Sequence, residues 1–372
     1  MPAVLRLTLT RFRNYRSARL ETGPEPVVLT GSNGAGKTNL LEALSFLSPG
    51  RGLRRARLDE VELTAHDAPP EGWAVAAGLS NGVEIGTGSV PGGGRERRQV
   101  RIDGHTAKGQ TALADHLSVL WLTPQMDRLF LEGSSGRRRF LDRLAFGFDP
   151  AHAGRLSRYE HAMRERARLL REGRRDSGWL AALEDQMATG GVAVAAARRE
   201  VAARLSAACA AGIGPFPRAE LAVAGLLEDR LADRPALPVE DEFRHRLRDS
   251  RRLDAETGAT TLGPHRSDFQ VRWRKADGPP LAAESCSTGE QKALLLAIVL
   301  ANARLLAERP AGPPLLLLDE VAAHLDEARR AALFDEILAL GGQAWLTGTD
   351  DALFVPLKDR ARFISVADGR VF

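Results

Sequence analysis

The stretch Gly31-Ser32-Asn33-Gly34-Ala35-Gly36-Lys37-Thr38 decides the fold of this chain. It matches the pattern G-x-x-x-x-G-K-[ST], follows the short apolar run 27–30 and precedes a helical pattern over residues 38–46. The glycines allow the backbone to curl until several N–H groups point at one phosphate chain, and the N-terminus of the following helix adds its positive end. The stretch therefore predicts a phosphate-binding loop between a buried strand and a helix.

The last two residues of this loop have distinct predicted roles. We expect Lys37 to neutralise the β- and γ-phosphates of ATP, and Thr38 to offer its hydroxyl to Mg²⁺. A Gly-rich turn that only starts a helix is the alternative, but the chain has five Lys against 47 Arg, which argues against a chance Lys here. The predicted nucleotide-binding residues are Gly31, Ser32, Asn33, Gly34, Ala35, Gly36, Lys37, Thr38 and Asn39.

Two acids follow a second apolar run. Residues 315–318 are four consecutive leucines, as in a strand buried on both faces, and Asp319 and Glu320 come directly after them. Parallel sheets bind ligands at the carboxyl ends of their strands. We expect Asp319 to belong to the Mg²⁺ shell and Glu320 to act with Lys37 in catalysis, as the general base that polarises the attacking water. A solvated acidic helix start is the alternative.

Composition limits the remaining choices. The chain has 372 residues, more than one core usually holds, so two lobes are expected, and its net charge of +4 is compatible with a polyanionic partner. Its two cysteines predict neither a disulfide framework nor a zinc site. The N-terminus lacks the apolar core of a signal peptide, and the longest apolar run, 294–307, is broken by Asn302 and Arg304. We therefore expect a cytoplasmic protein without membrane partners.

The order of patterns predicts an interrupted α/β fold. Strand-like runs and turn-rich segments dominate the first part, helical periodicity dominates from about residue 137 to 253, and strand-like runs return after Gly263. The predicted division is an N-terminal part of an α/β lobe over 1–130, a helical arm lobe over 131–261, and the C-terminal part of the α/β lobe over 262–372.

A third motif precedes the apolar helix 293–306. Ser287 and Glu290 form a capping-box pattern, and a capped helix with Gly289 in its first turn is also an anion site. The run resembles the signature motif of ABC-type ATPases. The resemblance implies that two copies enclose two ATP molecules, and that the signature of one copy binds the γ-phosphate held by the other. The residues concerned are Ser287, Thr288, Gly289, Glu290 and Gln291.

Other segments resemble further motifs of the same class. Asp326 ends a run similar to the D-loop, and Gln125 is similar to the Q-loop residue that joins Thr38 and Asp319 in the metal shell. Residues 347–350 resemble the switch region, with Thr349 where transporters carry His. By analogy with the class, Arg13 and its neighbour Tyr15 would flank the adenine.

The whole chain resembles the RecF family of bacterial DNA replication and repair proteins. The similarity extends beyond the ATPase motifs to residues 9–15, 39–43 and 133–142. Its most family-specific piece is the Gly-Pro-His-Arg motif within 262–268.

This resemblance implies an ABC/SMC-like P-loop ATPase head with an inserted helical lobe. It implies an ATP-dependent, head-to-head homodimer that clamps double-stranded DNA near single-strand gaps and is released by weak, DNA-stimulated ATP hydrolysis. It also implies a nucleoid-associated role in recombinational repair, replication restart and the SOS response, in which RecR and RecO are partners in RecA loading.

Arginine clusters are the candidate DNA contacts, since phosphate neutralisation gives sequence-independent binding. A solvated, Arg-rich surface is the alternative for each cluster. Further candidates lie in the clusters around Arg51, around Arg95, Arg97, Arg98 and Arg101, and over 244–252. The preferred candidates are Arg54, Arg55, Arg57, Arg137 and Arg138.

Two other functions compete with the clamp. A transporter ATPase subunit would share the ATPase motifs, but it predicts a His switch and leaves the helical insert unexplained. A scaffold that binds ATP without hydrolysing it is opposed by the presence of Glu320.

Overall fold

The structure is a computed structural model that describes residues 2–63, 71–89, 98–173, 176–275 and 277–372. The chain forms two compact units. The first comprises Met1–Asp127, Gly212–Phe216 and Thr288–Phe372, and the second comprises Arg128–Ala211 and Pro217–Ser287. In the described part of the chain, none of the helices combines the length and the apolar character that crossing a bilayer requires.

Strands occur in both units, and the predicted strands at 27–30 and 315–318 are confirmed as β3 and β12. The strands, in chain order, are β1 (Val4–Phe12), β2 (Tyr15–Glu21), β3 (Val27–Thr30), β4 (Ala74–Leu79), β5 (Glu84–Ser89), β6 (Arg98–Ile102), β7 (His105–Thr106), β8 (Val119–Leu122), β9 (Ala219–Ala224), β10 (Asp268–Trp273), β11 (Leu281–Ala282), β12 (Leu315–Leu318), β13 (Ala344–Gly348), β14 (Arg362–Ala367) and β15 (Arg370–Val371).

The helices concentrate in the second unit. In chain order they are α1 (Lys37–Ser45), α2 (Leu58–Val61), α3 (Ser134–Phe148), α4 (Ala151–Arg171), α5 (Ser177–Ala211), α6 (Leu226–Asp233), α7 (Ala236–Asp249), α8 (Arg251–Thr257), α9 (Thr288–Ala307) and α10 (Glu327–Leu340).

The described residues of the first unit form two six-stranded sheets. One has the order β2-β1-β4-β5-β6-β7 and is antiparallel. The other has the order β15-β14-β3-β13-β12-β8, in which all neighbours are parallel except the terminal hairpin of β14 and β15. Every residue of β3, β8, β12 and β13 is buried, which explains their continuous apolar runs.

In its described residues, the second unit combines six helices, α3–α8, with a small antiparallel sheet of order β11-β10-β9. Its apolar core includes Tyr159 of α4, Met187 of α5 and Phe243 of α7. The sequence predicted that the chain returns to the α/β lobe at residue 262, but the second unit continues beyond that residue. Residues up to Ser287 belong to the second unit, because β10 pairs along its length with β9.

Strand β9 interrupts the middle region, which was expected to be mostly helical. Its sequence, Ala-Glu-Leu-Ala-Val-Ala, is rich in a strong helix former, yet Leu221 pairs with Val271 and Val223 with Phe269. Tertiary pairing therefore overrides local propensity here. Helix α7 begins directly after Pro235, and Pro238 in its first turn sacrifices no helical hydrogen bond.

Buried charges hold the helices of the second unit together. Arg198 of α5 donates two hydrogen bonds of 2.8 Å to Asp142 of α3, and His152 Nε2 lies 2.9 Å from the same carboxylate. Burial alone would raise the pKa of Asp142, but the hydrogen bonds from Arg198 and His152 outweigh it and hold this pKa below its ordinary value. Three elements are thereby joined through one carboxylate.

The Gly-Pro-His-Arg motif belongs to the same network. Arg198 donates to the carbonyl of Pro264 at 2.5 Å. His265 Nε2 lies 2.9 Å from the carbonyl of Thr260, so this nitrogen carries the proton, and Nδ1 accepts from the Tyr159 hydroxyl at 2.7 Å. Burial lowers the pKa of His265, in keeping with a neutral ring. Within the second unit the motif therefore has a structural role.

The Arg198–Asp142 pair gives a stability prediction. Arg198→Met should lower the free energy of unfolding by about 3 kcal/mol, because Asp142 would keep a buried charge without its main partner. Arg204→Met is the matched control on the same helix, since the Arg204–Glu200 pair is exposed and should contribute less than about 1 kcal/mol. Urea denaturation measures both. Equal midpoints for the two variants would contradict this assignment.

Candidate nucleotide site

The loops that carry the motifs leave parallel strands of the first unit at the same edge of the parallel sheet. They follow β3, β12, β13 and β8, and the register aligns Leu318 with both Leu122 and Leu346. Gly348 at the end of β13 aligns in turn with Thr30 at the end of β3. Because the carboxyl ends of parallel strands share an edge, motifs far apart in sequence meet here.

The phosphate loop has the backbone that its glycines predict. Gly31 has φ +145°, and a Cβ there would lie 2.1 Å from the carbonyl oxygen of Val366. Lys37 is buried, and its Nζ donates to the carbonyls of Gly31 at 2.7 Å and Ser32 at 2.9 Å. Burial lowers the pKa of Lys37, and the nearby carboxylates of Glu320 and Asp319 oppose that shift.

Asp319 is the point at which the loops connect. Thr38 Oγ1 donates to its carboxylate at 2.9 and 3.1 Å, and Thr347 Oγ1 donates to it at 2.8 Å. Burial raises the pKa of Asp319, the hydrogen bonds from Thr347 and Thr38 lower it, and the neighbouring Glu320 adds to the rise. The predicted metal ligands Thr38 and Asp319 are therefore side by side.

Glu320 has an unusual backbone conformation. Its φ is +53°, in the left-handed region that residues other than glycine rarely adopt. Its N–H donates to Thr347 Oγ1 at 2.9 Å, which fixes the turn directly after β12. Backbone strain of this kind clusters at functional sites, where the surrounding structure maintains it.

Thr347 is a site residue that the sequence reasoning missed. The prediction chose Thr349 of the same segment as the switch residue, but Thr349 is exposed after the end of β13. Thr347 is the last polar residue inside this buried strand, and it contacts both acids. A hydroxyl in an otherwise apolar strand was the available signal.

The turn that carries Gln125 is linked to helix α9. Gln125 is exposed in the turn Pro124–Arg128, directly after β8. The same turn contains Asp127, whose Oδ2 lies 3.4 Å from Nζ of the buried Lys292 in the first turns of α9. The predicted Q-loop and the predicted signature helix are therefore joined by an ion pair.

The signature residues lie at the N-terminus of α9, which begins five residues before the predicted apolar run. Ser287, Thr288 and Gly289 are exposed, and a Cβ on Gly289 would meet nothing within 4 Å. Glu290 and Gln291 follow in the first turn and are progressively more buried. An open helix N-terminus of this kind can accept an anion.

Asp326, the predicted D-loop residue, begins the next helix. Its Oδ1 accepts from the N–H of Arg329 at 2.8 Å, so it is the N-cap of α10. Its side chain remains about half exposed, with a relative accessibility of 55%.

A charged cluster surrounds Glu42, one turn after Thr38 on α1. The fully buried Glu42 accepts from Arg13 at 2.7 and 2.8 Å and from Arg54 at 2.7 Å, and Arg54 also donates to Asn39 Oδ1 at 2.5 Å. Arg13 is thus engaged with α1, and its adenine contact stays a prediction. Tyr15, the other residue predicted to flank the adenine, is wrong for that role because it is fully buried.

The candidate DNA contacts have different environments. The Arg57 side chain is exposed and pairs with Asp59. Two residues earlier, the backbone of Arg55 is in the left-handed region, with a φ of +57°. Arg137 donates to Asp268 at 2.8 and 2.9 Å, and Arg138 donates to the carbonyl of Ser267 at 2.5 Å, both within the second unit. These contacts give Arg137 and Arg138 a structural role in addition to any contact with DNA.

Arg98 is not a surface cation. It is buried, and it donates to the Thr87 hydroxyl and to the carbonyls of Phe46 and Gly50. Burial lowers the pKa of Arg98 to about 9, so it stays charged at neutral pH while its donors are used internally. Arg95 and Arg97 of the same cluster lie outside the described residues.

Comparisons with known proteins agree with this architecture. A family model described as the RecF/RecN/SMC N terminal domain matches residues 3–347. The chain is 52% identical to the DNA replication and repair protein RecF of Rhizobium rhizogenes, with 99% of this chain and 98% of the relative covered. It is also 52% identical to RecF of Agrobacterium fabrum, with 98% and 97% covered.

Solved structures show the same fold. The recombination mediator protein RecF-ATPrS of the RecFOR pathway superposes with a TM-score of 0.84 at 22% identity, covering 100% of this chain and 97% of that one. An Smc head domain of Pyrococcus furiosus gives a TM-score of 0.54 at 18% identity, covering 100% and 95%. The α/β class and the SMC-like ATPase head with a helical insertion, predicted from motifs, are thereby confirmed. The chain therefore belongs to the RecF family of DNA replication and repair proteins, which are ATPases of the SMC and ABC-like type.

Proposed function

We propose that this chain is an ATP-gated DNA clamp. In this proposal, ATP binding brings two copies together head to head on duplex DNA near single-strand gaps, and slow hydrolysis, stimulated by DNA, releases them. The observation that carries the proposal is the convergence of the phosphate loop, Asp319 and Glu320 on one sheet edge, while Ser287, Thr288 and Gly289 are exposed.

The oxygens beside the phosphate loop fit Mg²⁺. Thr38 Oγ1 and the Asp319 carboxylate are hard ligands within hydrogen-bonding distance of each other, and Mg²⁺ is usually held by one or two such groups together with substrate phosphates. Gln125 would complete the protein part of this shell. When bound, the ion neutralises charge that develops on the transferred phosphoryl group.

The hydrolytic step depends on how the chain holds its acids. Glu320 would accept a proton from the attacking water, and its backbone is fixed by the Thr347 hydroxyl. Lys37 would neutralise the β- and γ-phosphates. Burial lowers its pKa, and the carboxylates of Glu320 and Asp319 oppose that shift and favour the charged amine. One hydroxyl, that of Thr347, thus aligns the metal ligand and the general base together.

Dimerisation follows from the exposed start of α9. Its unshielded N-terminus, with Ser287 and Gly289, is suited to a γ-phosphate that a second copy presents. The Lys292–Asp127 ion pair would couple γ-phosphate binding at the N-terminus of α9 to the position of the turn that carries Gln125. Asp326 would approach the partner's nucleotide, and Thr349 stays a candidate for sensing the γ-phosphate.

The DNA contact is supported by a basic cavity in the first unit. Its volume is about 730 Å³, and its lining includes the exposed cations Arg51, Arg57 and Lys108. No acidic residue is found among the described residues that line it. Such a surface favours a phosphate backbone and predicts salt-dependent, sequence-independent binding. Arg54 and Arg55 belong to the same segment as Arg51 and Arg57, between α1 and α2. Arg137 and Arg138 stay secondary candidates.

The partners follow from the family. Solved relatives are assigned to the RecFOR pathway, so we infer that this chain acts with RecR and RecO in directing RecA to gaps during repair, replication restart and the SOS response. A nucleoid-associated location in the cytoplasm would follow. A transporter ATPase subunit is disfavoured, because the chain matches RecF relatives over nearly its whole length.

The first prediction tests the clamp itself. Glu320→Gln should sediment as a monomer without nucleotide, as a dimer with ATP, and together with duplex DNA when both are present, because slowed hydrolysis would trap the closed state. The wild-type chain should show the same dimer only transiently. A protein that binds ATP but stays monomeric and ignores DNA would contradict the clamp while leaving the fold intact.

The second prediction separates the two halves of the composite site. Lys37→Met should abolish ATP-dependent dimerisation by removing the charge that neutralises the phosphates. Ser287→Arg should bind ATP as the wild type does yet remain monomeric, because Ser287 serves the nucleotide of the partner. Calorimetric titration and sedimentation measure the two properties. Loss of ATP binding by the monomeric Ser287→Arg variant would contradict an ATP site shared between two copies.

The third prediction distinguishes the two switch candidates. Thr347→Val should lower ATP turnover about tenfold or more, because two hydrogen bonds that position Asp319 and Glu320 are lost. Thr349→Val is the matched control and should stay within about twofold of wild type. Steady-state ATPase assays at saturating ATP measure both. The reverse ranking would assign the switch to Thr349.

A further inference from the structure

The carbonyl of Ala35, in the middle of the phosphate loop, receives two hydrogen bonds from opposite ends of the chain. Asn14 Nδ2 donates to it at 3.2 Å, and the N–H of Gly369 donates to it at 3.1 Å. Asn14 lies in the two-residue turn between β1 and β2, and Gly369 lies in the two-residue turn between β14 and β15. The first turn also contains Arg13, predicted to flank the adenine, whereas no site residue was predicted in the second turn.

These contacts determine the direction of a single peptide plane. In a trans peptide the N–H points away from the carbonyl that shares its plane. Two donors that hold the Ala35 carbonyl outward therefore direct the N–H of Gly36 the opposite way, into the curve of the loop. The N–H groups of such loops are the donors that bind phosphate. The orientation of one of these donors is thus set from outside the loop.

The fit around this peptide is close. A Cβ on Gly36 would lie 2.7 Å from Asn14 Nδ2 and 2.6 Å from the hydroxyl of the buried Tyr15. A Cβ on Gly369, which has φ +70°, would lie 2.6 Å from the carbonyl oxygen of Asn14. The loop and both turns therefore pack against one another with no room for an added methyl group.

The Asn14 side chain is itself held in place. Its Oδ1 accepts from Asn39 Nδ2 at 2.7 Å, and the Ala35 carbonyl can only accept, so the orientation of the Asn14 amide is determined by its partners. Asn39 is held in turn by Arg54 at 2.5 Å. The conformation needed to direct the Gly36 N–H is thus already formed by the chain.

We propose that Asn14 and Gly369 are positioning residues for nucleotide binding, because together they orient the Gly36 N–H toward the phosphates of ATP. The proposal rests on the function proposed above. It gives the terminal hairpin of β14 and β15 a part in the ATP site that its sequence does not reveal.

The test is the affinity of the full-length chain for ATP. Asn14→Ala removes one donor, and Gly369→Ala displaces the other by forcing a methyl group against Asn14. Each should weaken ATP binding about tenfold, as expected for a misdirected hydrogen bond to a charged group. Calorimetric titration measures the dissociation constant. Turnover at saturating ATP should stay within about twofold, because Asp319 and Glu320 are untouched.

Matched controls come from the turn between β4 and β5, away from the phosphate loop. Asn81→Ala removes a comparable turn side chain, whose Oδ1 accepts from the N–H of Val83 at 3.3 Å. Gly82→Ala introduces a side chain at φ +85° with nothing within 4 Å, so it reproduces the backbone strain of Gly369→Ala without the collision. Both controls should bind ATP as the wild type does.

The outcomes separate the two proposals. If the wild type binds ATP and the Asn14 and Gly369 variants bind it as tightly as their controls, the positioning role is overturned and the clamp survives. If the wild type does not bind ATP, both proposals fail. Should Gly369→Ala lower the melting temperature more than Gly82→Ala, Asn14→Ala decides alone, since its truncation removes only amide contacts of an exposed side chain.

Discussion

The rest of the site depends on the hydrogen bonds that the Asp319 carboxylate accepts from two hydroxyl groups. This carboxylate lies at the end of a strand of four buried leucines, and hydroxyls from the phosphate-loop helix and from the adjacent strand both donate to it. Burial makes its negative charge costly, and these two donors reduce that cost without neutralising the charge. The same hydroxyl of Thr347 fixes the strained backbone of Glu320, so the predicted metal ligand and the predicted general base share one support.

Much of this site could be predicted from the sequence because its parts have strong local signatures. Gly31, Gly36 and Lys37 are required by the geometry of phosphate binding, and a run of leucines that ends in acids is typical of a buried strand leading into a metal-binding edge. The parallel register then brings these segments together without further information. Other parts depend on tertiary contacts with no local pattern. The choice between Thr347 and Thr349 depends on which hydroxyl faces Asp319, and β9 resembles a helix until it pairs with β10.

The arginines show the limit of reasoning from composition. In a chain with 47 of them, clusters appear by bias alone, and their sequences look alike. Arg98 caps carbonyls in the core, Arg198 and Asp142 join two helices, Arg54 pairs with the buried Glu42, and Arg57 is exposed. Burial and the nature of the acceptor separate these roles, and neither property can be obtained from the spacing of charges.

The strand order of the parallel sheet has a consequence for synthesis on the ribosome. Strand β3, which leads into the phosphate loop, has β13 and β14 as its two neighbours, and both are made only after residue 343. The second unit, which ends at Ser287, emerges complete before either neighbour exists. Strand β3, which is fully buried in the folded protein, therefore lacks its sheet partners until residues 344–367 have been translated. Such late, non-local pairing slows folding and exposes an aggregation-prone segment, so the ATP site is among the last parts of the molecule to form.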